Sequence, residues 1–171
     1  MQDARYSAKK RLQDAQYIVF LLGSTRFGIP ILQALRISHV LPITRVPGAP
    51  AFLEGVVNDQ SQVVPLVDLR KRLGLAEVQS QSTHNDRERI LMVEVDNQVI
   101  GMLVTSVVGI SRIPAAVIQP PPPMVAQVNG VFLTGVVQSD TQLTMILNLD
   151  HVLTVDEISE VDEWHPGVVV A

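Results

Sequence analysis

Apolar and polar positions along this chain fall into short runs separated by turn residues. Tyr17–Leu22 is an apolar run of strand length, and Arg26–Ile29 follows across a turn at Gly23-Ser24. Runs of four to eight such residues bounded by Gly, Asn, Asp and Ser predict β-strands and hairpins. On the same reading Ile43–Val46 is a strand ended by Pro47-Gly48, and Gly55–Asn58 with Val63–Val67 is a hairpin around Asp59-Gln60-Ser61. Pro30 is placed to open a brief helix through Ile37, because proline suits a first helical turn. Asp68 is a helix cap, with Gly74 at the far end of the short helix it starts. Further along, Ile90–Val95 and Val99–Val104 flank Asp96-Asn97, Val107–Ile113 is a strand, and Gly135–Gln138 with Leu143–Leu149 flank Ser139-Asp140.

These elements repeat. Phe52–Leu73 matches Phe132–Leu153 at a constant offset of 80, with eight identities in 22 positions and no gap. Asp68 falls opposite Asn148, another capping residue type. Upstream, Tyr17–Phe20 aligns with Ile90–Val93 and Phe27–Ile29 with Ile100–Met102, at an offset of 73. Two copies are too few for a solenoid. They predict two similar lobes of about five short strands each, at about residues 16–76 and 88–153, and strands this short suggest small closed barrels. The polar stretch Glu77–Glu88 marks the boundary, and Pro120–Pro123 favours a stiff extended segment, read as a connection within the domain with a ligand for a partner groove as the alternative. Residues 1–15 are a charged tail. Residues 154–171 hold an amphipathic helix pattern, with Thr154 and Glu157 as a capping box.

Composition supports the β assignment: 27 of 171 residues are valine, a residue that packs well on a pleated sheet, and only seven are aromatic. With 47% hydrophobic residues the chain is not disordered, and with no cysteine it has no disulfide, thiolate metal site or cysteine nucleophile. No apolar run approaches the roughly 20 residues of a spanning helix, and Met1–Gln16 lacks a signal-peptide pattern. A cytoplasmic location without membrane insertion is the expectation. All 13 Lys and Arg lie at or before Arg112; against 11 acids they give residues 1–149 a net +2, while the last 22 residues carry −6. A nearly neutral body with few aromatics argues against nucleic acid as the main ligand. The triplet Arg70-Lys71-Arg72 is either a phosphate contact or the solvated face of a short helix.

Candidate catalytic chemistry is sparse. The four histidines (His39, His84, His151 and His165) show no ligand spacing, and the chain has no GxGxxG, P-loop or GxSxG. No enzyme activity, cofactor or metal is expected, and the chain reads as a binding module. A small-barrel nucleic-acid binder is the rival from another class.

One long motif is specific. Pro47-Gly48-Ala49-Pro50-Ala51-Phe52-Leu53-Glu54-Gly55-Val56-Val57-Asn58, then Val63-Val64-Pro65-Leu66-Val67-Asp68-Leu69-Arg70, resembles the CheW-like domain signature. So do Tyr17–Leu22, Phe27-Gly28-Ile29 and Phe132-Leu133-Thr134-Gly135, and the resemblance spans about residues 16–153. It implies an all-β fold of two five-stranded barrels, SH3-like or OB-like, packed around a shared core. It also implies a non-catalytic adaptor without cofactor, coupling the cytoplasmic tips of methyl-accepting chemoreceptors to a CheA-type histidine kinase. A CheW-like adaptor of a pilus or developmental kinase is the alternative. Carried over by position, Gly55, Val56, Asn58, Val64 and Gly101 are partner-binding candidates. Arg36, Gln60 and Ser61 are candidates at positions that depart from the family pattern. The family typically follows the Asn with Leu-Arg-Gly where this chain has Asp59-Gln60-Ser61, and often has glutamate where this chain has Arg36. On this reading Gly55→Arg disrupts partner binding and spares the fold.

Overall fold

A computed structural model describes residues 14–75, 86–122, 133–139 and 141–153. It contains twelve strands among those residues: β1 Asp14–Leu22, β2 Thr25–Pro30, β3 Ala34–His39, β4 Ile43–Thr44, β5 Leu53–Asp59, β6 Gln62–Asp68, β7 Arg89–Val95, β8 Gln98–Val104, β9 Ser106–Pro114, β10 Ile118–Gln119, β11 Leu133–Ser139 and β12 Gln142–Leu147. Two four-residue helices follow β6 and β12: α1 Leu69–Arg72 and α2 Leu149–Val152. Each half holds six strands where five were expected. The added ones are β3, read from sequence as a helix, and the two-residue β10. Pro30 leads only into a 3-10 turn at Ile31–Gln33 before the chain extends again. The polar tail, the body of the linker, Pro123 and the C-terminal helix pattern lie outside the described residues.

The duplicated units are β1–β6 with α1 and β7–β12 with α2, and their local geometry agrees in detail. Leu53 pairs with Val67 and Gly55 with Leu66 across a bulge; Leu133 pairs with Leu147 and Gly135 with Ile146 across the same bulge. Asp68 accepts from the Arg70 backbone N–H at 3.0 Å, and Asn148 from that of Asp150 at 3.1 Å. Each cap satisfies a donor that a helix start leaves open.

The units do not, however, form one sheet each. The strand orders are β10-β11-β12-β2-β1-β9 and β3-β7-β8-β6-β5-β4. Each unit lends its first hairpin to the other: β1–β2 completes the sheet of β9–β12, and β7–β8 completes that of β3–β6. The lent strand pairs in parallel, β8 with β6 (Leu66 opposite Gly101) and β2 with β12 (Ile146 opposite Gly28). The division expected near residues 76–88 therefore separates the repeat units, whereas the sheets divide after β2 and after β8. Glu88, at the end of the expected linker, is buried. Sequence similarity marks which segments are equivalent but not which sheet each joins, because an exchanged hairpin makes the same contacts as an unexchanged one.

The exchange accounts for the apolar runs. Strands buried on both faces read as continuous hydrophobic segments rather than alternating ones. On β7, Leu91, Val93 and Val95 enter a large shared core with Ile18, Phe20 and Leu22 of β1, while Ile90 and Met92 fill the interior of their own barrel with Val57, Val64, Leu66 and Leu103. The second barrel has a smaller interior of Ile113, Val137 and Ile146, against which Tyr17 and Ile118 pack. Leu69, Leu149, Val152 and Leu153 bring both helices to the shared core.

Charged groups tie this region together. Asp68 and Glu88 are nearly buried and share the Arg70 guanidinium, at 3.1 and 3.2 Å. Burial opposes the charge on Arg70, but the hydrogen bonds and charges of Asp68 and Glu88 outweigh it and raise its pKa above the ordinary value. Lys71 pairs with Glu54. Arg72 donates to the Val152 carbonyl at 2.8 Å and lies over the Phe52 ring, joining α1 to α2. The basic triplet is thus engaged internally and is not a purely solvated face.

Two stability outcomes follow. Arg70→Leu leaves two buried carboxylates without their cation and is expected to cost about 3–5 kcal/mol in urea unfolding. Gly55 has φ +147°, and a Cβ there sits 2.2 Å from the Thr44 carbonyl oxygen. Gly55→Ala is expected to cost on the order of 3 kcal/mol. Gly48→Ala, at φ +77° in open space, is expected to cost about 1 kcal/mol, and equal losses for the two glycines would contradict this reading.

Candidate functional site

The expected site residues separate into two groups. Val64, Val56, Gly55 and Gly101 are buried and contribute to barrel interiors and strand packing. Gly101 has no left-handed backbone; it leaves room for Ile90 and Leu66, whose side chains approach a built Cβ to 3.0 and 3.3 Å. Gly55→Arg, expected to spare the fold, would force a side chain into the β4 backbone, where a Cβ alone already meets the Thr44 carbonyl. Asn58, Gln60 and Ser61 are exposed at the β5–β6 hairpin. Gln60 and Ser61 both have positive φ, 50° and 68°, as a two-residue hairpin turn requires.

Arg36 comes to the same place from a different strand. β3 stands at one end of its strand order and β5 next to the other end. Arg36 Nη2 donates to Asp59 Oδ2, so this ion pair joins the two ends of the sheet at the mouth of the first barrel. Asp59, absent from the expected set, is the buried member.

The outer surface carries a second pattern. Among the described residues eight large hydrophobic side chains are exposed: Leu32, Leu35, Ile37, Val63, Val108, Ile110, Val117 and Leu143. Six of them are three pairs related by the repeat. Leu35 and Ile37 on β3 correspond to Val108 and Ile110 on β9, at offset 73; Val63 on β6 corresponds to Leu143 on β12, at offset 80. Leu35 and Val108 are the extra residues of β-bulges, because the register skips from Ala34 to Arg36 and from Gly109 to Val107. Bulges re-aim side chains and bend the strand at sheet edges. Single exposed apolar residues need no explanation, but here the same positions are exposed in both repeat units, on the end strands β3 and β9 and on β6 and β12 within the sheets. The repeat offsets were visible in the sequence. The bulges were not, and Leu35 and Ile37 fell in the segment read as a helix.

An open cleft of about 750 Å³ is lined by His39, Arg45, Glu54, Asp86, Glu88 and Arg89, among others. Its charges are largely engaged: Glu54 with Lys71, Glu88 with Arg70, and Arg89 with the backbone carbonyls of Asp86 and Glu88. Among the described residues no cluster of His, Asp and Glu is arranged to hold a metal, and no helix is long and apolar enough to cross a membrane.

Comparison with known proteins agrees with this architecture. The family model of the CheW-like domain matches residues 16–157. A chemotaxis protein CheW from Helicobacter pylori is 32% identical over 142 residues, covering 82% of each chain. Protein FrzA from Myxococcus xanthus is 29% identical over 135 residues, covering 79% of this chain and 81% of its own. The crystal structure of the scaffolding protein TtCheW from Thermoanaerobacter tengcongensis superposes with a TM-score of 0.74 at 28% identity, over 84% of this chain and 95% of that one. The two six-stranded sheets match the two SH3-like barrels of that fold. This chain belongs to the CheW-like domain family.

Proposed function

We propose that this chain is a non-catalytic cytoplasmic adaptor that couples chemoreceptors to a CheA-type histidine kinase in bacterial chemotaxis. The observation that carries the reading is the repetition of exposed apolar side chains on equivalent end strands, Leu35 and Ile37 of β3 on one barrel and Val108 and Ile110 of β9 on the other. A coupling protein has to hold two others at once, and two faces on barrels joined through one core provide for that. The CheW-like domain of the kinase is a barrel of the same kind, and its strand edges suit these faces. In this reading the receptor helix tip docks between the barrels, in the manner of a helix laid in an apolar groove. No bound group enters this account.

A second reading has a specific observation behind it. The Asp59-Gln60-Ser61 hairpin departs from the family pattern at an exposed turn, and the similarity extends to FrzA as well as to CheW proteins. An adaptor for a pilus or developmental kinase has the same fold and the same two faces, with a different partner.

Charges placed in the faces test the proposal. Ile37→Asp and Ile110→Asp are expected each to weaken capture of the kinase domain or the receptor fragment by at least about 1 kcal/mol, roughly fivefold. Their thermal transitions should stay near that of the wild type, since both side chains are already exposed. Unchanged capture of both partners by the double variant would sink the assignment.

A further inference from the structure

The open cleft of the first barrel lies close to Leu153, the last described residue. The Val152 carbonyl accepts from Arg72 Nε at 2.8 Å, which sets the end of α2 against α1. On α1, Lys71 and Arg70 pair with Glu54 and Glu88, and both of those acids line the cleft. The segment that follows Leu153 therefore starts within a few side chains of the cleft wall. Residues 154–171 number 18, enough to reach about 60 Å when extended.

The cleft has an apolar side and unsatisfied charge. Val40, Leu41, Pro42 and Ile43 form the apolar side. Glu54 and Glu88 already hold their cations. Arg45 is exposed and makes no hydrogen bond or ion pair among the described residues. Arg89 donates to the backbone carbonyls of Asp86 and Glu88, which are uncharged acceptors. Two bases are thus left without an acid, against the single exposed acid Asp86. An occupant that is apolar on one side and acidic on the other would satisfy both features.

Residues 154–171 have that character. They contain Asp156, Glu157, Glu160, Asp162 and Glu163 and no Lys or Arg, with Val155, Ile158 and Val161 recurring every third position between the acids. Apolar anchors at such spacing are how amphipathic segments are read by grooves. The family model ends at residue 157, so most of this segment lies outside the shared domain.

We propose that the cleft of the first barrel is the docking site of this chain's own acidic segment, with Val155, Ile158 and Val161 against Val40–Ile43 and the carboxylates toward Arg45 and Arg89. Tethering favours this occupant over a free one. A short link gives an effective concentration in roughly the millimolar range, so a contact too weak to hold a separate peptide holds this one. The inference does not depend on which proteins the adaptor couples.

The chain supplies its own reporter. Trp164 is its one tryptophan and it has no cysteine. Pro42→Cys therefore takes a single bimane label at the exposed lip of the cleft, where contact with tryptophan quenches it. Gln138→Cys, exposed on the second barrel, takes the control label. In the full chain at low salt, the label at position 42 is expected to be at least about twofold dimmer than in the same protein with Trp164→Phe, since a millimolar local concentration half-fills even a millimolar site. The control label should not change. Arg45→Glu and about 1 M salt are each expected to restore most of the brightness. Arg45→Glu should keep the thermal transition, because the side chain is exposed. Equal brightness with and without Trp164 overturns the inference and leaves the cleft to a separate partner. So does quenching shared by both labels, or quenching indifferent to both Arg45→Glu and salt. Quenching that fades on dilution also overturns it, and assigns the cleft to the acidic segment of a second copy.

Discussion

The burial of two hairpins on both faces is the constraint on which this structure depends. β1–β2 and β7–β8 each face their adopted barrel on one side and the shared core on the other. That arrangement makes these strands almost wholly apolar, and it sets a glycine opposite a branched side chain at both parallel pairings, Gly28 against Ile146 and Gly101 against Leu66. It also leaves β3, β4, β9 and β10 at the ends of the strand orders. Leu35 and Ile37 on β3 and Val108 and Ile110 on β9 are accordingly exposed. The apolar interior and the exposed end strands are two results of one pairing scheme.

Much of the fold was legible because its signals are local. The hairpin turns at Gln60-Ser61 and Asp96-Asn97, the cap at Asp68 and the 80-residue repeat each follow from residue types at fixed spacing. The exchange of hairpins was not legible. Long-range pairing depends on which equivalent strand is met in space, and equivalent strands have similar sequences. β3 was misread for a related reason: Pro30 suits a helix start, but the alternative of pairing with β7 decided the conformation. The candidate positions divide by burial: Asn58, Gln60 and Ser61 are exposed and Arg36 partly so, whereas Gly55, Val56, Val64 and Gly101 are buried. A signature motif combines both kinds of position, and only burial separates them.

The two repeat units keep the same irregularity and differ in charge. Bulges at Leu35 and Val108 each leave an apolar side chain exposed on an end strand. Where the first unit has the ion pair of Arg36 and Asp59, the second has Gly109 and Ser139.

The hairpin exchange also bears on how the chain is made. All strands of the first barrel come from residues 34–104, one unbroken stretch, whereas the second needs β1–β2 from residues 14–30 together with strands that begin at 106 and end at 147. During synthesis the first barrel can close as soon as β8 emerges. The opening hairpin must meanwhile wait, apolar on both faces, for β9 and β12 to arrive. Pairings of such long sequence separation form late, and exposed strand edges invite wrong partners in the interval. The first barrel, with β7 and β8 already in place, offers the waiting hairpin an apolar surface through the shared core, so the part of the protein completed first shelters the part that must be completed last.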